Sequence, residues 1–158
     1  MIKVGDKLPS MKLSMATPEG PKEVSTDDVF KGKVVMFAVP GAFTPTCSAK
    51  HLPGFLQSYD AIKAKGVDSV VCMAVNDAFV MVAWAKDQGV DGRIVMLADG
   101  AGAFTKALGL ELDLVARGLG VRAQRFALIA QDGVVKHLAV EAPGGFDVSR
   151  AEAVLAAL

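Results

Sequence analysis

One thiol in this chain sits where the local sequence favours its anion. Cys47 closes the run Pro40-Gly41-Ala42-Phe43-Thr44-Pro45-Thr46-Cys47, which follows the unbroken apolar stretch Val34-Val35-Met36-Phe37-Ala38-Val39. That stretch has the length and character of a fully buried strand. Pro40-Gly41 ends it. Thr44 reads as a helix N-cap and Pro45 as the first helical residue, where a missing N–H costs nothing. Cys47 is then the third helical residue, among free backbone N–H groups and at the positive end of the helix dipole. Both favour a thiolate, the reactive form of cysteine. A threonine N-cap hydroxyl engages the N–H of the second or third helical residue, so Thr44 Oγ1 is expected close to the sulfur. The pattern describes a nucleophile with a hydroxyl beside it.

A lone cysteine in an apolar chain is commonly just a small buried hydrophobe. The cap, the proline and the switch from strand to helix set Cys47 apart. His51 lies one helical turn on. Zinc would need three or four ligands, and the only other Cys or His residues are Cys72 and His137, so no metal is expected. His51 could serve the thiol as a base. Cβ vectors tilt toward the helix N-terminus, however, and carry Cys47 away from it, which favours a surface or core histidine. Cys72 lies in Val70-Val71-Cys72-Met73-Ala74-Val75, a second buried strand, and is expected to be structural. At ~3.3 Å per residue it sits about 13 Å back from the strand end at Asn76. A disulfide with Cys47 needs Cα atoms within roughly 7 Å.

The stretch Val39-Pro40-Gly41-Ala42-Phe43-Thr44-Pro45-Thr46-Cys47-Ser48, with His51-Leu52-Pro53-Gly54-Phe55 after it, resembles the active-site segment of the atypical peroxiredoxins, the peroxiredoxin-5 or type II group above all. Val75-Asn76-Asp77-Ala78-Phe79-Val80, Leu97-Ala98-Asp99, and Arg125-Phe126 with Gln131-Asp132-Gly133 match the same pattern in the same order. The resemblance covers nearly the whole chain and weakens after about Glu141. It implies a thiol-dependent peroxidase for hydrogen peroxide and alkyl hydroperoxides, in which Cys47 becomes a sulfenic acid. It implies Arg125, rather than Arg122, as the guanidinium that favours the thiolate and holds the peroxide oxygens. Thr44 becomes a ligand as well as a cap, Pro40 shields the sulfur, and the backbone N–H groups of Thr46 and Cys47 donate toward the peroxide. No bound cofactor is implied, only an external thiol reductant such as glutathione, glutaredoxin or thioredoxin. Type II relatives pair as dimers near the active-site loop, which implies a homodimer through Phe43, Asp77 and Phe79. By residue type alone, Phe43, Phe79 and Trp84 read as core.

Two departures narrow this reading. No cysteine follows Glu141, so a C-terminal intramolecular disulfide is out of reach. The segment between Phe104 and Arg125 looks shorter than in some relatives, which leaves the peroxide pocket wall, Leu112 included, open. The rival reading is a redox-inactive interaction or chaperone-like protein of thioredoxin-like fold. A thiol–disulfide oxidoreductase ranks lower, because neither cysteine lies in a Cys-x-x-Cys pair.

Composition bounds the rest. A chain of 158 residues fits a single domain over residues 1–158. Such a chain buries roughly 70% of its unfolded surface. Seventeen basic and seventeen acidic residues cancel, and no basic patch speaks for nucleic acid. The apolar stretches run to about ten residues, against ~20 for a membrane span. Met1-Ile2-Lys3-Val4-Gly5-Asp6 does not open like a signal peptide. Two cysteines suggest no disulfide framework, so a reducing cytoplasm is the expected compartment.

The elements that must position Cys47 follow from breakers and periodicity. After a loop-rich start, Ser25-Thr26-Asp27-Asp28 caps a short helix ending at Lys31-Gly32. The helix opened by Thr44 runs toward Gly66 with a kink at Pro53-Gly54. Asp77 caps a helix through Trp84 to Gly89, whose glycine suits a left-handed end. Ile94 to Leu97 is a third strand and Ala101 to Leu108 a short helix. Phe126 to Ala130 and Val134 to Leu138 flank Gln131-Asp132-Gly133, and Asp-Gly between strands is a strong hairpin signal. Ser149-Arg150-Ala151-Glu152 reads as a capping box for a last helix. Strand–helix–strand alternation, then a hairpin and a helix, predicts a thioredoxin-like α/β sandwich with a central mixed sheet and helices on both faces. Ligands of such sheets bind beyond the carboxyl ends of the strands, which is where Cys47 falls.

Overall fold

Strands that are apolar on both sides need cover on both faces, because successive side chains alternate across the sheet. The computed structural model, which describes residues 1–158, meets that demand. In chain order the elements are β1 (Lys12–Thr17), β2 (Gly20–Ser25), α1 (Thr26–Val29), β3 (Lys33–Val39), a π-helical turn (Cys47–His51), α2 (Leu52–Gln57), α3 (Tyr59–Ala64), β4 (Ser69–Ala74), α4 (Ala78–Asp87), β5 (Val95–Ala98), α5 (Ala103–Leu108), β6 (Glu111–Leu114), a 3-10 turn (Val115–Arg117), β7 (Gly120–Ala123), β8 (Phe126–Gln131), β9 (Val134–Val140) and α6 (Ala151–Ala157). Seven strands form one mixed sheet in the order β2-β1-β5-β4-β3-β8-β9, while β6 and β7 form a separate hairpin.

The two cores separate by strand parity. Val35, Phe37 and Val39 of β3 join Val70, Cys72 and Ala74 of β4 on one face, covered by Leu52, Phe55, Ile62, Met81, Trp84 and Val154 from the helices. Val34, Met36 and Ala38 join Val71 and Met73 on the other, covered by Phe30, Phe104 and Leu108. The parallel run β3-β4-β5 is built by two successive crossovers. Crossovers of one hand place their helices on one side, and α2, α3 and α4 all pack into the first core.

Most predicted elements form within a residue or two of their expected ends. The Asp132-Gly133 turn adopts positive φ at both residues, 49° and 79°, the backbone a tight right-twisted hairpin requires. Asp77 caps α4 through Val80 N–H at 2.9 Å. Three expectations fail. The loop-rich start is the β1–β2 hairpin, whose other edge pairs antiparallel with β5; its exposed, mixed residues carry no alternating apolar signal. The β6–β7 hairpin was equally silent.

The other two failures concern helices. The long helix after Thr44 does not kink at Pro53-Gly54. It opens into the π turn at Cys47–His51, where Leu52 N–H bonds to Cys47 O, and breaks again at Ser58. Pro53 has no N–H for the Ala49 carbonyl and its ring would crowd that oxygen, so the turn ahead of it widens. The capping box of α6 does not form either. Arg150 occupies the N-cap position with no side-chain bond, and Ser149 Oγ donates to Glu141 Oε2 at 2.7 Å instead.

Candidate active site

Register brings together what sequence keeps apart. Ala38 of β3 pairs with Phe126 of β8, so Arg125, one residue earlier, stands at the carboxyl end of β3. Phe126 also pairs with Val140 of β9, which sets Glu141 against Arg125, and Glu141 N–H bonds to the Arg125 carbonyl at 3.0 Å. The chain leaves β3 through Pro40 and turns helical at Pro45, which delivers Cys47 to the same edge.

Three side chains meet there. Arg125 Nη2 donates to Cys47 Sγ at 3.2 Å, and Arg125 Nη1 donates to His51 Nδ1 at 2.8 Å. His51 Nε2 donates to the Ser149 carbonyl at 3.0 Å. Cys47 and His51 are both fully buried. The His51 ring packs against Phe37, Phe55 and, edge-on at 5.2 Å, Phe146. Burial first, and then the Arg125 charge, push the His51 pKa down to about 3 against the pull of the Ser149 carbonyl, so the ring is neutral at working pH. Glu141 is also buried, and burial alone would push its carboxyl up. The Ser149 hydroxyl and the Ser149 and Asp147 N–H groups, at 2.7–2.8 Å from Oε2, outweigh that and hold it below its ordinary value.

The loop from Pro40 to Thr46 is held from several sides. Asn76 Oδ1, just past β4, accepts from Ala42 N–H at 2.9 Å, and Trp84 Nε1 donates to Ser48 Oγ at 3.0 Å. Phe43 takes a left-handed backbone, φ 62°, which a non-glycine residue adopts only under constraint. A Cβ at Gly41 would lie 2.9 Å from Arg122 Nη1 and 3.2 Å from Thr44 Cγ2, so any larger residue must push the Arg122 guanidinium aside. The helical ladder starts at Ser48 N–H on the Thr44 carbonyl, which leaves the Thr46 and Cys47 N–H groups outside it.

Some expectations are corrected here. The Thr44 hydroxyl does not cap the helix; it donates to the Gly41 carbonyl at 2.7 Å, because Pro45 has no N–H and the loop folds back first. Its lone pairs remain free to accept. Arg122 bonds to the Leu119 and Pro40 carbonyls, at 2.7 and 3.4 Å, and holds the β6–β7 hairpin over the loop rather than the thiol. Leu112, opposite Arg122 in that hairpin, is half-buried. Trp84 is core, but Phe43 and Phe79 are 52% and 73% exposed, and Asp77 is exposed as well. Cys72 lies in mid-strand between Phe37 and Met96, fully buried, with its thiol pushed well up by burial and by Cys47. Sequence reasoning had His51 only as a base or as a surface or core histidine, of which the buried ring is the core one, and it missed Glu141. The tilt of a regular helix separates Cys47 from His51, but an arginine between them joins both, and the Glu141-to-Ser149 return had no local signal.

The Redoxin family model matches residues 3–155. The chain is 51% identical over 162 residues to "Peroxiredoxin-2E, chloroplastic" of Arabidopsis thaliana, covering 99% of this chain and 69% of that one. It is 49% identical over 159 residues to "Peroxiredoxin-2C" of Oryza sativa subsp. japonica, covering 99% and 98%. A crystal structure of reduced Prx3 in complex with hydrogen peroxide from Vibrio vulnificus superposes with a TM-score of 0.94 at 53% identity, over 99% of each chain.

Proposed function

The chain belongs to the redoxin family and within it to the peroxiredoxins, which are thiol peroxidases, and from that premise we propose that Cys47 is the sulfur that peroxide oxidises. The observation that carries this is the Arg125 guanidinium 3.2 Å from a fully buried thiol at the carboxyl edge of the sheet. A buried cation beside sulfur favours the thiolate, and the thiolate is what attacks.

The chemistry then runs on this chain's own groups. Cys47 S⁻ attacks one oxygen of ROOH, an S–O bond forms and the O–O bond breaks. The second oxygen leaves with the electron pair as RO⁻ and takes a proton to become ROH, leaving Cys47 as a sulfenic acid. Arg125 and the Thr46 and Cys47 N–H groups meet the negative charge that develops on the leaving oxygen. The Thr44 hydroxyl, already donating to Gly41, accepts from the peroxide O–H. Pro40 walls the sulfur from water. The bound peroxide in the Vibrio vulnificus structure supports this reading.

For the return half, an external thiol condenses with the sulfenic acid to a mixed disulfide and water, and a second thiol releases Cys47. Glutathione, glutaredoxin or thioredoxin fits that role, because Cys72 is buried in mid-strand and no other cysteine exists. Two unpaired thiols accord with a reducing compartment such as the cytoplasm. The exposed Phe43 and Phe79, with the exposed Asp77, support a homodimer through those residues. The test is Cys47→Ser. It should abolish peroxide consumption with an unchanged circular dichroism spectrum, and full turnover in that variant refutes the assignment.

A further inference from the structure

We propose that His51 is a positioning residue for the thiol chemistry, acting through Arg125, and that the segment from Glu141 to Ser149 is the strap that fixes it. This rests on the peroxidase reading of Cys47 and adds residues that the reading does not require.

The argument begins with hydrogen-bond capacity. An arginine can only donate and a backbone carbonyl can only accept. His51 faces Arg125 with Nδ1, at 2.8 Å, and the Ser149 carbonyl with Nε2, at 3.0 Å. Both neighbours therefore demand the same tautomer, with the proton on Nε2 and a lone pair on Nδ1. A protonated ring would lose that lone pair and repel Arg125, and burial keeps the ring neutral far below neutrality. A long guanidinium side chain is free to swing. Pinned at Nη1 by His51, it can aim Nη2 only at Cys47 Sγ.

The strap makes the pin rigid. The Ser149 carbonyl is held because Ser149 N–H and Oγ both donate to Glu141 Oε2, at 2.8 and 2.7 Å. Glu141 N–H bonds back to the Arg125 carbonyl at 3.0 Å. The contacts thus close a ring: Arg125 backbone, Glu141, Ser149, His51, Arg125 guanidinium. Phe146, in the middle of the strap, covers it, with its ring edge-on to His51 and 5.9 Å from Arg125 Cζ. Within this ring it is Arg125 that hydrogen-bonds to the sulfur.

A double-mutant cycle on the full chain tests the proposal, using stopped-flow sulfenic acid formation with hydrogen peroxide and thiolate ultraviolet absorbance at fixed neutral pH. His51→Leu should slow the first step by about tenfold or more, the order expected for loss of one hydrogen bond to a charged group, and lower the thiolate signal. His51→Asn, which keeps an oxygen near the Nδ1 position, should restore part of both. Glu141→Gln should give a smaller loss in the same direction. Combined with Arg125→Ala, His51→Leu should add nothing, because its effect passes through the guanidinium. Additive losses, or a His51→Leu enzyme as fast as the wild type, overturn the proposal. Should His51→Leu fail to fold, His51→Asn carries the same cycle. A wild-type chain inert to peroxide refutes the peroxidase reading instead, and the absorbance cycle still decides the role of His51.

Discussion

Acid should weaken this protein through one buried ring. Unfolded, His51 takes its proton near its ordinary 6.5; folded, it does not until about 3. Between those values the unfolded chain binds the extra proton, so falling pH draws the population toward it. The neutral ring's advantage is whole above 6.5 and is lost on descending toward 3. From about pH 7 to about pH 5 the folded state forgoes some 1.5 pKa units of protonation, which costs about 2 kcal/mol. For a chain of this length that corresponds to a fall in Tm of roughly 4–8 °C. The perturbation is His51→Asn, which removes the titrating group. Urea unfolding at the two pH values is the assay, with the midpoint compared at constant m-value. The wild type should lose about 2 kcal/mol more than the variant over that interval. Parallel pH dependences in the two proteins refute the reasoning and mean that the ring is solvated or already charged in the folded state.

Arg125→Ala should lower the thiolate absorbance of Cys47 at neutral pH and slow sulfenic acid formation by about tenfold or more, the order of one charge-assisted hydrogen bond; an unchanged rate would move the role to Arg122. Non-reducing mass spectrometry after one equivalent of peroxide should show Cys47 sulfenic acid, or its adduct with added thiol. A Cys47–Cys72 disulfide as the main product would contradict the one-cysteine cycle and require one of the two buried sulfurs to leave its place. Phe79→Glu, at a 73% exposed position, should weaken self-association in sedimentation velocity while leaving the monomer folded, and an unchanged sedimentation coefficient would exclude that surface. Gly41→Ala should raise the rate of Cys47 alkylation, because its new methyl displaces the Arg122 guanidinium that ties the β6–β7 hairpin to the loop.

Local signals told most of this protein's story. The apolar runs at Val34–Val39 and Val70–Ala74 announce buried strands because both faces of each are covered. Asp132-Gly133 announces a hairpin because few other residue pairs tolerate positive φ twice running. Cys47 was legible as a candidate nucleophile from Pro45 and the strand before it, since the start of a helix is chemistry that neighbours in sequence create. Thr44 was legible as a candidate site residue, though not as the donor to the Gly41 carbonyl that it is, because whether its hydroxyl reaches forward or back depends on how the loop closes.

What only the tertiary structure decided is carried by register and burial. Seventy-eight residues separate Cys47 from Arg125, and the pairing of Ala38 with Phe126 is what makes them neighbours. The resemblance named Arg125, but no local pattern distinguishes it from Arg122. Pro53 determined that the helix would be disturbed, and the fold placed the disturbance one turn earlier, around Cys47 and His51. Ser149 and Glu152 fit a capping box, yet the Ser149 hydroxyl goes to Glu141 because a buried carboxylate must be satisfied and an exposed helix end can turn to water. His51 is the extreme case: its residue type allows a base, a ligand or a surface group, and only complete burial between a donor and an acceptor makes it a neutral pin.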